Sequence, residues 1–403
     1  MGNRMNAWLG WIGVLGVLAG TSAVAADWPQ WRGLNHDGIS TEAGWLTPGA
    51  AVKTVWKASV GAGYSAVSVA AGKLYTMGNE GGNDIVWCLD AASGKEVWKY
   101  TYPCQTGNYP GPRATPVVDG LCVFTFGREG VVCCLAADTG KILWKRELAK
   151  DMPLKAPQWG FSGSPYVDGK LLLLNVGSGG LALDKATGAT VWQSGGEGAG
   201  YSSLAVLDQA GKKAYVLFAQ KTVVAVDAAD GKKLWDSPWS TSYDVNAADP
   251  IVVGGKVFVT SGYGHGGALL DVSATPPKAV WDNKSLGSQF GTPVLWKDHL
   301  YGSHGNTGGG EFRCLNPATG EVVWARKELG FCSLTVADGK AIVLGEKGAL
   351  TVIEASPAGY KELWQGKVLD GTCWTMPVLS GGLIYCRNDK GSLVCLDLKS
   401  KAP

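Results

Sequence analysis

With 403 residues, Gly at 59 of them, 17% charged residues and a formal charge of +2, the chain is long for one hydrophobic core, dense in turns and nearly neutral. So small a charge leaves no field to gather nucleic acid or an anionic membrane surface, and the composition is neither that of a disordered chain nor that of a helical one.

The N-terminus stands apart. Arg4 supplies a basic start, Ala7 to Gly20 an apolar stretch short for a membrane span, and Ala23-Val24-Ala25 a small-residue cleavage site. The pattern predicts a signal peptide over 1–26 and an exported chain, periplasmic or extracellular, beginning near Ala26 or Asp27. No cysteine lies at that point to carry a lipid.

From Lys53 onward one feature dominates. A tryptophan preceded by Val or Leu returns at Trp56, Trp98, Trp144, Trp192, Trp235, Trp281, Trp324 and Trp364, with gaps of 42, 46, 48, 43, 46, 43 and 40 residues. A period of that length belongs to stacked supersecondary units. Before the Trp, an Asp or Asn at −8 and a Gly at −4 recur at 90/94, 184/188, 227/231 and 316/320, which reads as a hairpin turn. Upstream, a small residue followed by Pro (Thr115-Pro116, Ser164-Pro165, Asp249-Pro250, Thr292-Pro293, Met376-Pro377) opens a first strand. A β-branched or aromatic run such as Leu121 to Phe126, Leu171 to Val176 or Val257 to Thr260 makes a second.

Four short strands per repeat make one propeller blade, and radial closure protects the edges. The expectation is therefore an all-β chain, a single domain over 27–403 forming an eight-bladed β-propeller of four-stranded antiparallel blades. The last repeat offers strands at Met376 to Leu379, Leu383 to Arg387 and Leu393 to Leu398 but no final Trp strand. Lys53 to Lys57, carrying Trp56 with no hairpin before it, supplies that strand, so the two ends are expected to share a blade.

All ten cysteines follow the signal. With Gly127 to Gly130 as a loop, Cys122 and Cys133 fall diagonally on one hairpin face, and Cys386 and Cys395 do likewise around Asn388 to Gly391. Buried free thiols are the expectation for most, including the adjacent Cys133 and Cys134, whose side chains point to opposite faces of a strand. Gly262-Tyr263-Gly264-His265-Gly266-Gly267 satisfies GxGxxG, yet it leads into Ala268-Leu269-Leu270 and Pro276-Pro277, with no helix N-terminus to meet a phosphate, so it reads as a turn. The four histidines have no zinc-site spacing, and no GxSxG elbow is present.

Residues at the starts of the innermost strands should ring the central funnel. Among them Arg113, Asp244, Asn246, Asp249, Gln289 and Trp374 are the candidate binding residues, polar fixers among aromatic walls.

The Asp/Asn-x-x-Thr/Ser-Gly-x-x-x-Trp repeats resemble those of the pyrroloquinoline-quinone (PQQ) repeat β-propellers, a superfamily that includes the quinoprotein alcohol dehydrogenases and BamB-like assembly proteins. The opening Asp27-Trp28-Pro29-Gln30-Trp31-Arg32-Gly33 resembles the start of exported proteins in this group. The resemblance implies one of three roles. The first is a monomeric, non-catalytic binding or assembly module in the cell envelope with a protein partner. The second is a compact PQQ-dependent dehydrogenase, with Asp244 or Asp249 as base and Asn246 as a Ca²⁺ ligand. The third is a small-ligand-binding propeller using Arg113 for an anion.

Overall fold

The computed structural model describes residues 26–399 except 106, 153 and 197, so the signal peptide expected over 1–26 lies almost wholly outside the described residues. Eight antiparallel four-stranded sheets follow one another along the chain. Blade 1 is Ser68–Ala70, Lys73–Glu80, Asn83–Asp90 and Glu96–Pro103, and blades 2 to 7 repeat this order, their inner strands starting at Val117, Tyr166, Ala205, Ile251, Val294 and Cys332. Blade 8 takes its inner three strands, Val378–Ser380, Leu383–Arg387 and Ser392–Asp397, from the C-terminus and its outer strand, Lys53–Ser59, from the N-terminus. Trp56 pairs with Cys395 in that antiparallel register. The ring closes as the spacing of the tryptophans predicts.

The repeat motif is the joint between blades. Five of the eight outer-strand indoles lie over the turn glycine of the next blade, Trp144 over Gly188 and Trp192 over Gly231 among them: a Cβ on Gly94 would come within 2.5 Å of Trp56, one on Gly140 within 2.5 Å of Trp98, and one on Gly320 within 2.6 Å of Trp281. Trp56, Trp98 and Trp281 also donate their N–H to the first turn carbonyl, Trp56 to Ala91 at 3.0 Å, Trp98 to Ala137 at 3.0 Å and Trp281 to Pro317 at 2.8 Å. None of the eight is exposed. The Gly is thus selected twice, by a positive φ and by the ring that covers it. Gly140→Ala is expected to cost about 2–4 kcal/mol, from left-handed backbone strain plus overpacking. Gly120→Ala, at φ 56° with nothing near its Cβ, keeps only the first cost. Denaturant unfolding of the two variants separates the terms, and equal losses would remove the indole from the account.

Two sequence expectations need correction. Phe126 pairs with Val132 and Arg387 with Leu393, so an odd number of residues, 127–131 and 388–392, separates each pair where an even number, four, was read. A one-residue slip moves every side chain to the other face. Cys122 therefore shares its face with Cys134, not Cys133, and Cys386 packs with Cys373, away from Cys395. All ten thiols are free, and burial pushes those of Cys133 and Cys395 up to about 12. Gly262 to Gly267 joins Lys256–Ser261 to Gly266–Asp271 as a hairpin turn.

The sequence pattern gave no warning of a plug. Residues 27–46 run across the base of the ring. Trp28 bridges Val69 at the far end of the inner strand of blade 1, Ile39–Ser40 adds a parallel fifth strand to blade 7 at Val336 and Ala337, and Leu46 bridges Leu398. Arg32 lies in the middle, fully buried, donating to the carbonyls of His36, Asp37, Thr292 and Pro293 at 2.9–3.2 Å. The plug spans blades that the ring places far apart.

His36 sits edge-on to Tyr166 at 4.6 Å, with its Nε2 out of contact with water and unbonded. Burial, reinforced by Arg32, holds its imidazole down at about 3. An unfolded His takes its proton near 6.5. Between those values the unfolded chain binds a proton that the folded chain refuses, so the stability owed to the neutral ring is complete above about 6.5 and is lost as pH falls toward about 3. Burial moves Asp249 in the opposite sense, its carboxyl being raised, so wild type must be compared with a His36 variant. The drop in Tm from pH 7 to 4 should be shallower in His36→Leu, and superimposable profiles would clear His36 of the effect.

Candidate functional site

The start of each inner strand lies on the face opposite the plug. There a side-chain oxygen at the start of the inner strand accepts the N–H of the preceding blade and builds a relay, and in four of the five links it belongs to a residue before Pro, whose backbone is held extended; Ser203 is the fifth. Ala66 N donates to Thr115 Oγ1 (3.1 Å), Thr115 N to Ser164 Oγ (2.9 Å), Ser164 N to Ser203 Oγ (2.9 Å), Ser203 N to Asp249 Oδ1 (2.7 Å) and Asp249 N to Thr292 Oγ1 (2.9 Å). Asp249 is the carboxylate in a ring of hydroxyls. Its second oxygen accepts Trp31 Nε1 at 2.6 Å and faces Arg32 at 4.0 Å. The plug is thereby fastened to the underside of the relay.

Above it opens a central cup of ≈ 240 Å³. Trp31 forms the floor, Tyr64 and Trp374 stack at 5.3 Å on one wall beside Phe290, and Trp159 packs on Tyr201 at 5.9 Å on another. Four of the six candidates, Arg113, Asp249, Gln289 and Trp374, line this cup. Asp244 and Asn246 do not. Asp244 accepts Gln220 Nε2 at 2.8 Å outside it. Asn246 is fully buried, its amide donating to the carbonyls of Ala219 and Gln220 at 3.0 Å and its Oδ1 accepting Ser261 Oγ at 3.0 Å, while its neighbours Val245 and Ala247 reach the cup wall.

Three of the four lining candidates are already engaged. Gln289 donates to the Tyr263 hydroxyl and accepts Thr307 N, both at 2.9 Å, and Trp374 Nε1 donates to Glu346 Oε1 at 2.8 Å. Arg113 differs. It donates only to the carbonyls of Gly111 (2.6 Å) and Tyr109 (2.8 Å), and its guanidinium stands 5.6 Å from the centre of the Tyr64 ring. Burial, then repulsion from Arg128, lowers it to about 10, so it remains a cation at neutral pH.

Sequence reasoning missed Trp31, Tyr109, Trp159 and Tyr263. Tyr263 was in view within the GxGxxG turn, whose position beside the rim follows from the blade repeat. Trp31 belongs to the opening segment and could be placed only by contacts more than 200 residues away in sequence.

A calcium-bound quinone does not suit these residues. Asn246 has its amide committed to backbone, and Asp249 has both oxygens taken and a guanidinium alongside, which a cation would have to face. Among the described residues no group of three His, Cys, Asp or Glu is arranged to hold a metal ion, and no helix is long and apolar enough to cross a membrane.

Solved structures share this architecture. The structure superposes on BamB from Moraxella catarrhalis with a TM-score of 0.64 at 17% identity, covering 86% of this chain and 98% of that one. It superposes on the quinohemoprotein alcohol dehydrogenase from Comamonas testosteroni with 0.72 at 13%, covering 94% and 81%. At those identities the likeness is one of fold. In sequence, the outer membrane protein assembly factor BamB of Burkholderia pseudomallei (strain K96243) is 28% identical over 253 residues, 60% of this chain and 61% of that protein. The one of Yersinia pestis is 25% identical over 235 residues, 52% and 58%. The matches thus span less than two thirds of either relative. The profile of the family described as outer membrane protein assembly factor BamB matches residues 105–326 and 308–402, blade 2 through blade 8. A ring of PQQ-like repeats matched over most of its length by that profile leaves one conclusion: the chain is a PQQ-like repeat β-propeller and belongs to the BamB family.

Proposed function

We propose that this chain is an exported, monomeric, non-catalytic binding module that serves outer-membrane protein assembly through a protein partner in the cell envelope. The observation that carries this reading is the state of the cup. Its carboxylate, amide and the Trp374 indole N–H are bonded into the scaffold, and among the described residues no histidine lines it, which favours binding over acid–base chemistry. The relatives named as assembly factors point the same way.

Deleting the gene in its native host and quantifying outer-membrane proteins in isolated envelopes tests the role, with a selective fall in integral outer-membrane proteins as the expected result. In parallel, purified protein given PQQ, Ca²⁺ and a primary alcohol should neither retain quinone absorbance nor reduce an acceptor dye. Unchanged envelopes, or stoichiometric quinone with turnover, would overturn the reading.

A further inference from the structure

The cup contains a cation that, among the described residues, has no carboxylate within ion-pairing distance, since the one carboxylate in its lining, Asp249, faces Arg32. Arg113 spends two of its N–H groups on carbonyls, and the rest have no protein acceptor among the described residues. Arg128, from the second turn of blade 2, leans on the same Tyr109 carbonyl at 3.4 Å. Among the described residues neither guanidinium has a carboxylate partner. Asp84 acts on Arg113 only weakly from a distance, with its own oxygens bonded to Asn79 at 2.8 Å and Tyr102 at 3.3 Å. Arg113 is half-buried, and a guanidinium with free N–H groups on the wall of a cavity is suited to an anion.

The surroundings define the rest of the ligand. Tyr64 lies beneath the guanidinium and stacks on Trp374 with 23° between ring planes, and Phe290 stands 5.3 Å from Trp374. At ≈ 240 Å³ the cup is smaller than the roughly 300–1,000 Å³ that drug-sized ligands occupy. It has room for one small aromatic group with a short side chain. We propose that the cup binds a single aromatic group bearing a carboxylate, with the ring against Trp374, Phe290 and Tyr64 and the carboxylate on Arg113. Two sources offer this chemistry, a free arylalkanoic acid and the free C-terminus of a polypeptide ending in an aromatic residue. The site needs neither the assembly role nor its partner, and stands if that reading fails.

Titration of the purified propeller, followed by calorimetry and tryptophan fluorescence, tests it with 3-phenylpropionate, phenethylamine and a short peptide ending in phenylalanine as free acid and as amide. The acids should bind and the amine and the amide should not, and Arg113→Met should weaken acid binding about tenfold or more, as loss of a charge-assisted hydrogen bond does. Arg113→Lys should recover part of the loss. Tighter binding of the peptide acid than of phenylpropionate assigns a chain terminus, and the reverse order assigns a free acid. Should Arg113→Met fold poorly, the contrast of acid with amide on the wild-type protein makes the same discrimination. Equal binding of acid and amide, equal binding of the amine, an unaffected Arg113→Met, or no binding at millimolar acid would each sink the proposal.

Discussion

Asp249→Ala is expected to lower stability by about 3–5 kcal/mol, because it removes the counter-charge of a buried cation. Arg32 would be left among carbonyls with only the weaker pull of Asp37, and Trp31 Nε1 and Ser203 N would lose their acceptor in the same step. Asp249→Asn keeps the volume and one carbonyl acceptor, so its loss should be smaller. Chemical denaturation measures both, and Trp31, freed from the floor, should change the intrinsic fluorescence. If the alanine variant unfolded within about 1 kcal/mol of wild type, the range of an ordinary surface change, the plug would not depend on this carboxylate.

Arg387→Met should cost a similar amount, about 3–5 kcal/mol, through a different mechanism. The guanidinium is 1% exposed, and it reaches from blade 8 into blade 1, donating to the carbonyls of Ser65 (2.9 Å), Met77 (2.7 Å) and Gly61 (3.0 Å) and to Thr76 Oγ1 (3.0 Å). Burial lowers it to about 10, with Asp389 acting against that fall. Methionine would fill the volume and leave those acceptors without donors. They lie where the C-terminal strands of blade 8 meet blade 1, beside the non-covalent closure of the ring, at which Ser392–Asp397 pairs with Lys53–Ser59 without a loop to join them. The variant should therefore open early at this seam, with amide exchange faster in 383–387 and 73–80 than in blades 3 to 6. Uniform exchange across the ring would refute a special role for the seam.

The two variants probe what could not be read from sequence. The tryptophans were legible because the blades solve one packing problem, in five of the eight with an indole on the next blade's glycine, and repeated local physics leaves a periodic trace. The X-Pro starts were legible for the same reason, and the relay they form brought Asp249 to the right place. What was not legible has no period. Hairpin parity at Cys122 and Cys386 depended on one residue of loop length. The split between Asn246, turned into the scaffold, and Val245 and Ala247, turned into the cup, depended on an irregular loop whose alternation no strand rule governs. The plug depended on pairing across more than 200 residues, between Trp31 and Asp249.

The plug also fixes a direction in space. Ala26 is held at the base, its carbonyl accepting Ser380 Oγ at 2.8 Å and its N–H donating to Glu42 at 3.2 Å, while Glu42 caps the turn at Gly381 and Gly382. A bead, dye or membrane anchor joined ahead of Ala26 would tether the ring from underneath and leave its aromatic mouth facing outward. Immobilisation through the N-terminus therefore gives an oriented sensor surface.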